Sequence, residues 1–174
     1  YANKPEFIFL NADEIRFLSA GKNLNKSEKA ELAALKSEVQ HYLKQKDHVS
    51  ASEITQFSKR IEKLAIAYAI FKDEKYASQV ARSIRAWLVE PKSKLLPNFK
   101  GPKSVRPSQA RSLIRIPDAI QLTKNSNAWR SVDIPAVKDW FKEYALQLRS
   151  WVESNPNNED LSSMAYQYDL QIPV

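Results

Sequence analysis

Leu64-Ala65-Ile66-Ala67-Tyr68-Ala69-Ile70-Phe71 is the longest apolar run in the chain, and Lys72-Asp73-Glu74 follows it at once. Extended backwards, the run joins a stripe of Ile54, Phe57, Ile61, Leu64, Ala65, Tyr68 and Phe71. Spacings of three and four along such a stripe are the period of an α-helix. They predict a helix over 52–72, opened by Ser52 with Glu53 behind it and more buried than any other. Past the charged triplet, Tyr76, Val80, Ile84, Trp87 and Leu88 share one face of a second helix over 75–88, where Ala77 and Ala81 let a neighbour approach. A link this short makes the two helices fold back on each other as an antiparallel hairpin.

The same period recurs on both sides of the hairpin. Leu32, Leu35, Val39, Tyr42 and Leu43 mark a helix over 27–44, with Ser27 as its N-cap and Glu28 and Glu31 in a first turn whose dipole favours them. Over 89–107 the pattern stops: Pro91, Pro97, Pro102 and Pro107 are interleaved with Lys92, Lys94, Lys100, Lys103 and Arg106. Prolines so spaced exclude a helix, and a long irregular loop in a compact domain is commonly functional or disordered. Helix resumes over 109–123 with Leu113, Ile116, Ile120 and Leu122, Pro117 being a local irregularity. It returns over 135–153 with Pro135 at its start and Val137, Trp140, Phe141, Tyr144, Leu148, Trp151 and Val152 on one stripe. No segment alternates with period two over more than a few residues, so the expected fold class is all-α. Helix pairs on short turns suit a solenoid or a closed ring of hairpins, and the lack of a self-match at about 34 or 40 residues counts against the common helical repeats.

Composition bounds the function. The 174 residues carry 27 Lys and Arg against 20 Asp and Glu, a formal charge of +7. With 43% hydrophobic residues the chain has enough apolar surface for a core, and disorder is excluded as its main state. No apolar run is long enough to cross a membrane. The absence of Cys excludes disulfides and thiolate metal sites, two histidines (His41 and His48) are too few for a self-contained metal cluster, and two glycines disfavour a glycine-rich phosphate loop. The chain opens on Tyr1 with no leader pattern and closes on the apolar Asp169-Leu170-Gln171-Ile172-Pro173-Val174, from which a continuation is expected.

Three stretches resemble one family. Pro5 to Ile15 is similar to the opening segment of the alginate lyases built on an (α/α) toroid. Leu64 to Ala77, followed by Ile84-Arg85-Ala86-Trp87-Leu88, resembles that family's hairpin. Arg111-Ser112-Leu113-Ile114-Arg115-Ile116-Pro117-Asp118-Ala119-Ile120, then Trp140-Phe141-Lys142-Glu143-Tyr144 and Tyr168-Asp169-Leu170-Gln171, keep the family's order and spacing. The resemblance implies helical hairpins forming part of an incomplete toroid, and β-elimination on a polymer of uronic acids. It implies no metal or organic cofactor, an acidic polysaccharide as partner, and a secreted or periplasmic home. An exposed edge of a partial ring would favour association with a second copy.

Elimination needs a group to neutralise the sugar carboxylate, a base for the adjacent C–H and an acid for the departing oxygen. In the family an Asn-Asn-His motif serves the first need. Counting back from Tyr168 places that motif on Ser162, Ser163 and Met164; Asn157-Asn158-Glu159 is the displaced alternative. Arg111 and Arg115 match family arginines near the cleft, and a guanidinium pairs well with a carboxylate. The substrate-binding candidates are therefore Arg111, Arg115, Asn157, Asn158 and Trp129, the last as a sugar-stacking platform in a loop. The catalytic candidates are His48, Asn158 and Tyr168, with Tyr166 beside the last. Each has a plainer alternative: arginines on a solvated face, Asn-Pro-Asn-Asn as a turn, a solvated histidine, packing tyrosines. Trp87, Trp140 and Trp151 are expected in the core. The positive charge suits an anionic partner; a nucleic acid is disfavoured by the lack of a reading motif and by acids interspersed among the bases. The open readings are thus a uronate lyase, a non-catalytic binder of acidic glycan, or a helical scaffold for a protein or nucleic-acid partner.

Overall fold

The computed structural model describes residues 12–45 and 50–155. Among these, the regular elements are helices: α1 (Ala12–Ala20), α2 (Lys26–Tyr42), α3 (Ile54–Phe71), α4 (Glu74–Ile84), α5 (Arg115–Thr123) and α6 (Asp133–Glu153). The only pairing of strand type among the described residues is one parallel bridge between Leu96 and Ser104. The chain is all-α, as its periodicity predicts.

Helix α3 sits at the centre, packed by α1, α2, α4 and α5. Ile54, Phe57, Ile61, Leu64, Ala65, Ile66, Ala67, Ala69 and Ile70 are all buried, so the helix is covered around most of its circumference, as an apolar run without a polar face must be. Each large side chain so buried contributes about 1.5–3 kcal/mol. The chain leaves α3 through Lys72, which caps it in the left-handed conformation with φ 56° and donates its N–H to the Tyr68 carbonyl. Asp73 then caps α4 by accepting from the Lys75 N–H at 3.1 Å, which completes the hairpin. No described helix is long and apolar enough to cross a membrane.

Several boundaries differ from the sequence expectation. Helix α2 is capped by Asn25 and not Ser27: the Asn25 side chain accepts from the Glu28 N–H at 2.9 Å, while Glu28 accepts from the Asn25 N–H at 2.7 Å. This is a reciprocal capping box, and Ser27 turns instead to Glu31. Ser50, not Ser52, opens the α3 region, its N–H and hydroxyl both bonded to Glu53 ahead of a 3-10 turn, Ala51–Glu53. The helix expected to 88 ends as α-helix at Ile84 and continues as one wide π-turn, Arg85–Val89. The expected helix over 109–123 is a 3-10 helix, Pro107–Ile114, before it becomes α5, with Pro117 in the first turn of α5 where no N–H partner is required. Helix α6 starts two residues before Pro135. Trp87 lies on Phe57, rings parallel and 3.6 Å apart, and Trp140 is stacked on Tyr144. Trp151 departs from the expected core placement: it is half-buried and meets Phe99 edge-on.

A buried ion cluster fixes the far end of the hairpin against α6. Asp133, with no exposed surface, accepts from Arg85 through Nε at 3.0 Å and Nη2 at 2.6 Å, and from the Arg130 N–H at 2.9 Å and Nε at 3.1 Å. Burial works to raise its pKa, but these donors and the two charges outweigh it and hold the carboxyl below its usual range. Removing one partner of such a cluster leaves a charge without its counterion. Asp133→Ala is accordingly expected to lower the unfolding free energy by about 3–5 kcal/mol, read from urea denaturation at neutral pH. A loss under about 1 kcal/mol would equate the cluster with a surface pair and refute its structural role.

Candidate functional site

The prolines of 89–107 do not produce a slack loop. Leu95, Pro97 and Val105 are buried, and the Leu95 N–H bonds the Trp87 carbonyl while the Leu95 carbonyl accepts from the Trp140 indole at 2.8 Å. The Leu96 N–H bonds the Lys103 carbonyl at 2.9 Å, and the Ser104 hydroxyl bonds Asn98 at 2.8 Å and the Lys100 carbonyl. Phe99 meets Tyr144 edge-on, and the Tyr144 hydroxyl donates to the Arg106 carbonyl. Burial pushes the Tyr144 hydroxyl far above its ordinary pKa, so it stays a donor at any working pH. The loop is thus pinned along its length to α4's π-turn and to α6.

From this loop the 3-10 helix runs back across the start of α3. Gln109 donates to the Ala51 carbonyl at 2.9 Å and accepts from the Arg106 N–H at 3.0 Å, and Ser112 is bonded to Thr55 at 2.8 Å. These contacts place Arg106 and Arg111 beside the segment that leads into α3. Arg111 is exposed and makes no ion pair among the described residues, so its guanidinium is available to an anion. Arg115 is differently placed: it donates to Glu62 of α3 at 2.5 Å, and Glu62 is buried. Arg115 therefore neutralises an internal carboxylate before any external one. Trp129 is half-buried, packed on the core, with its indole N–H donated to the Thr123 carbonyl at 3.0 Å, which ties the loop after α5 in place. His48, Asn157, Asn158, Tyr166 and Tyr168, with Ser162, Ser163 and Met164, lie outside the described residues.

Two features escaped the sequence reading. One is Arg60, a buried guanidinium over the Phe57 ring at 5.6 Å that donates to Gln45 at 2.8 Å. The other is a carboxyl pair. Glu62 uses one oxygen for Arg115, and its second, Oε1, is buried without a hydrogen-bond partner among the described residues. Half-buried Asp118, one turn beyond Arg115 on α5, responds to the Glu62 charge. Burial raises the Glu62 pKa against the pull of Arg115, Lys63 and Lys59. Burial, then the charge of Glu62, pushes Asp118 from 3.8 up to about 6. A signal existed: Glu62 falls between Ile61 and Leu64, inside a run of residues that a buried helix covers on all sides. Among the described residues no group of three His, Cys, Asp or Glu is arranged to hold a metal ion.

Comparison with known proteins adds one finding: the family model described as "Alginate lyase" matches residues 4–164. No curated protein matches the chain.

The Asp118 shift makes a prediction with a definite sign. Between about pH 3.8 and about pH 6 the folded chain keeps a proton on Asp118 that the unfolded chain has lost, so stability falls as pH rises through that window. Asp118→Asn cannot ionise. Its stability relative to the parent chain is expected to rise between about pH 4 and about pH 8 by on the order of 1 kcal/mol, after allowance for screening at a half-exposed group. Urea denaturation of both proteins at the two pH values checks this; a constant difference would mean that Asp118 titrates as a solvated carboxyl.

Proposed function

The chain belongs to the alginate lyase family, and from that membership we propose that it acts on acidic uronate polymers, cleaving them by β-elimination. The observation that carries the reading is the family match over 4–164, which spans most of the chain; the all-helical hairpin architecture agrees with it. Elimination begins when a cation or strong donor next to the sugar carboxylate makes the neighbouring C–H acidic. Arg111 is our choice for that role, since it is exposed and unpaired among the described residues while Arg115 serves Glu62. Asn157 or Asn158 would share the carboxylate, and His48 or Tyr168 would carry protons. A secreted or periplasmic home follows from the substrate class.

A second reading is favoured by a specific observation. Ser162, Ser163 and Met164 stand where counting back from Tyr168 places the family's Asn-Asn-His, and none of them accepts a proton or neutralises a carboxylate well. On this reading the chain binds acidic glycan without cutting it.

Elimination creates an unsaturated uronate end that absorbs in the ultraviolet, so the two readings separate in a cuvette. With polymannuronate, polyguluronate and polyglucuronate offered singly, absorbance is expected to rise for at least one. Arg111→Ala should then lower kcat/KM by about 10- to 100-fold. A flat trace with all three polymers would refute cleavage and leave the binding reading.

A further inference from the structure

The charge of this chain is not spread over it. From Pro91 to Pro117 there are seven basic residues, Lys92, Lys94, Lys100, Lys103, Arg106, Arg111 and Arg115, and no Asp or Glu. The rest of the chain holds 20 basic and 20 acidic residues, so the whole formal charge of +7 resides in this one segment. The acid just before it, Glu90, and the acid that α3 sets against Arg115, Glu62, are already engaged. Glu90 accepts from Arg130 at 2.9 Å, and Glu62 takes Arg115. Lys92, Lys100, Lys103 and Arg106 are exposed, and among the described residues none of them forms an ion pair.

The fold also fixes the backbone that carries these cations. The Leu96–Ser104 bridge brings the two arms of the loop side by side, and Lys103 Nζ donates to the Lys92 carbonyl at 3.0 Å, setting the 92 and 103 positions next to each other. Lys100 sits at the tip between them, its N–H bonded to Asn98 and its carbonyl to Ser104. Arg106 follows where Tyr144 and Gln109 hold the backbone. A flexible loop would let the backbone positions that carry them drift apart. Here Leu95, Pro97, Val105 and Ser104 are buried beneath them and prevent it. Cations mounted on a fixed backbone are preorganised for a polyanion, because part of the ordering that binding would otherwise require is already done.

We propose that Lys92, Lys100, Lys103 and Arg106 form a cationic platform that grips an acidic polysaccharide at sugars beyond those held at the reacting centre. The proposal rests on the uronate-polymer reading for the identity of the polyanion. A polymer with one carboxylate per sugar offers a row of separated single charges. Lysines, as compact point charges on flexible stems, match such a row without needing the bidentate geometry that phosphate contacts favour. The platform therefore acts on long chains and not on short ones.

The test compares the full chain with the variant Lys92→Gln/Lys100→Gln/Lys103→Gln/Arg106→Gln, and with a charge-matched control, Lys22→Gln/Lys26→Gln/Lys29→Gln/Lys44→Gln, at exposed positions elsewhere. Because Lys103 bonds the backbone, the pair Lys92→Gln/Lys100→Gln is measured beside the quadruple variant, with helical circular dichroism as the folding check. Binding of polymannuronate and polyguluronate is measured across a salt series. The platform variant is expected to bind the preferred polymer about tenfold more weakly at low salt and with a flatter salt dependence, the pair falling between. The control and the binding of a uronate trimer should be unchanged. Equal loss in the control, unaltered binding in the platform variant, absence of binding to either polymer, or equal affinity for single-stranded DNA of similar length would each overturn the proposal. The ultraviolet assay separates the two claims: polymer binding that depends on the platform without any cleavage refutes the lyase reading and leaves the platform standing. Cleavage with platform-independent binding does the reverse.

Discussion

The packing of α3 on nearly all sides is the constraint from which the rest of the structure follows. A helix whose apolar residues run from Ile54 to Ile70 cannot be satisfied by one neighbour. It takes α4 through the hairpin, α2 and α1 on the N-terminal side, and α5 from more than forty residues further on. Between the π-turn and α5, the chain runs as a proline-rich segment anchored by Leu95 and Val105 in the same core. The irregular part is therefore fixed by the core of the regular part.

Polar contacts inside this core act at particular joints. Asp133 draws together Arg85 at the hairpin's far end and Arg130 in the turn before α6, and Glu62 joins α3 to α5 through Arg115. Both acids are buried, yet their titration differs in direction. Asp133 has four donors and two positive partners, which outweigh its desolvation; Glu62 has one donor and an oxygen left unmet, and desolvation prevails. Asp118, itself partly buried and subject to the Glu62 charge, shifts in the same direction. The junction of α3 with α5 thus carries a strain of charge that the junction with α6 does not.

How much of this was legible in the sequence depended on the range of the signal. The hairpin, α2, α6 and the break over 89–107 are all written in local spacing, and the periodicity located them to within a few residues. The Asn25 cap was also present as Asn followed three residues later by Glu28, but Ser27 offered an equally good hydroxyl, and only the backbone conformation at Asn25 decides. The pairing of Arg85 with Asp133 joins residues 48 apart, and Glu62 with Arg115 joins residues 53 apart. Periodicity describes one element at a time, so it is blind to polar contacts between elements. For the same reason periodicity could not show that the fold leaves Arg111 exposed and sets Arg115 against a buried acid. Of the site candidates, His48, Asn157, Asn158 and Tyr168 lie outside the described residues, so the fold adds nothing to their sequence reading.

Grip and cleavage of a polyuronate place different demands on a protein. Cleavage requires a donor at hydrogen-bond distance from one carboxylate and a base aimed at one C–H, and the loss of either group ends it. Grip requires only that several positive charges be held near a path the polymer can follow, and the loss of one of them changes little. On the proposed reading, the segment from Pro91 to Pro117 would meet the second demand with side chains whose individual positions are tolerant but whose mounting is not, since the loop is fixed by buried residues and by the Trp140 and Tyr144 hydrogen bonds. Grip is therefore the more durable property. On the proposed reading, a chain of this architecture would be able to exchange the residues of its reacting centre and still hold its polymer, whereas dissolving the core beneath the loop would end both at once.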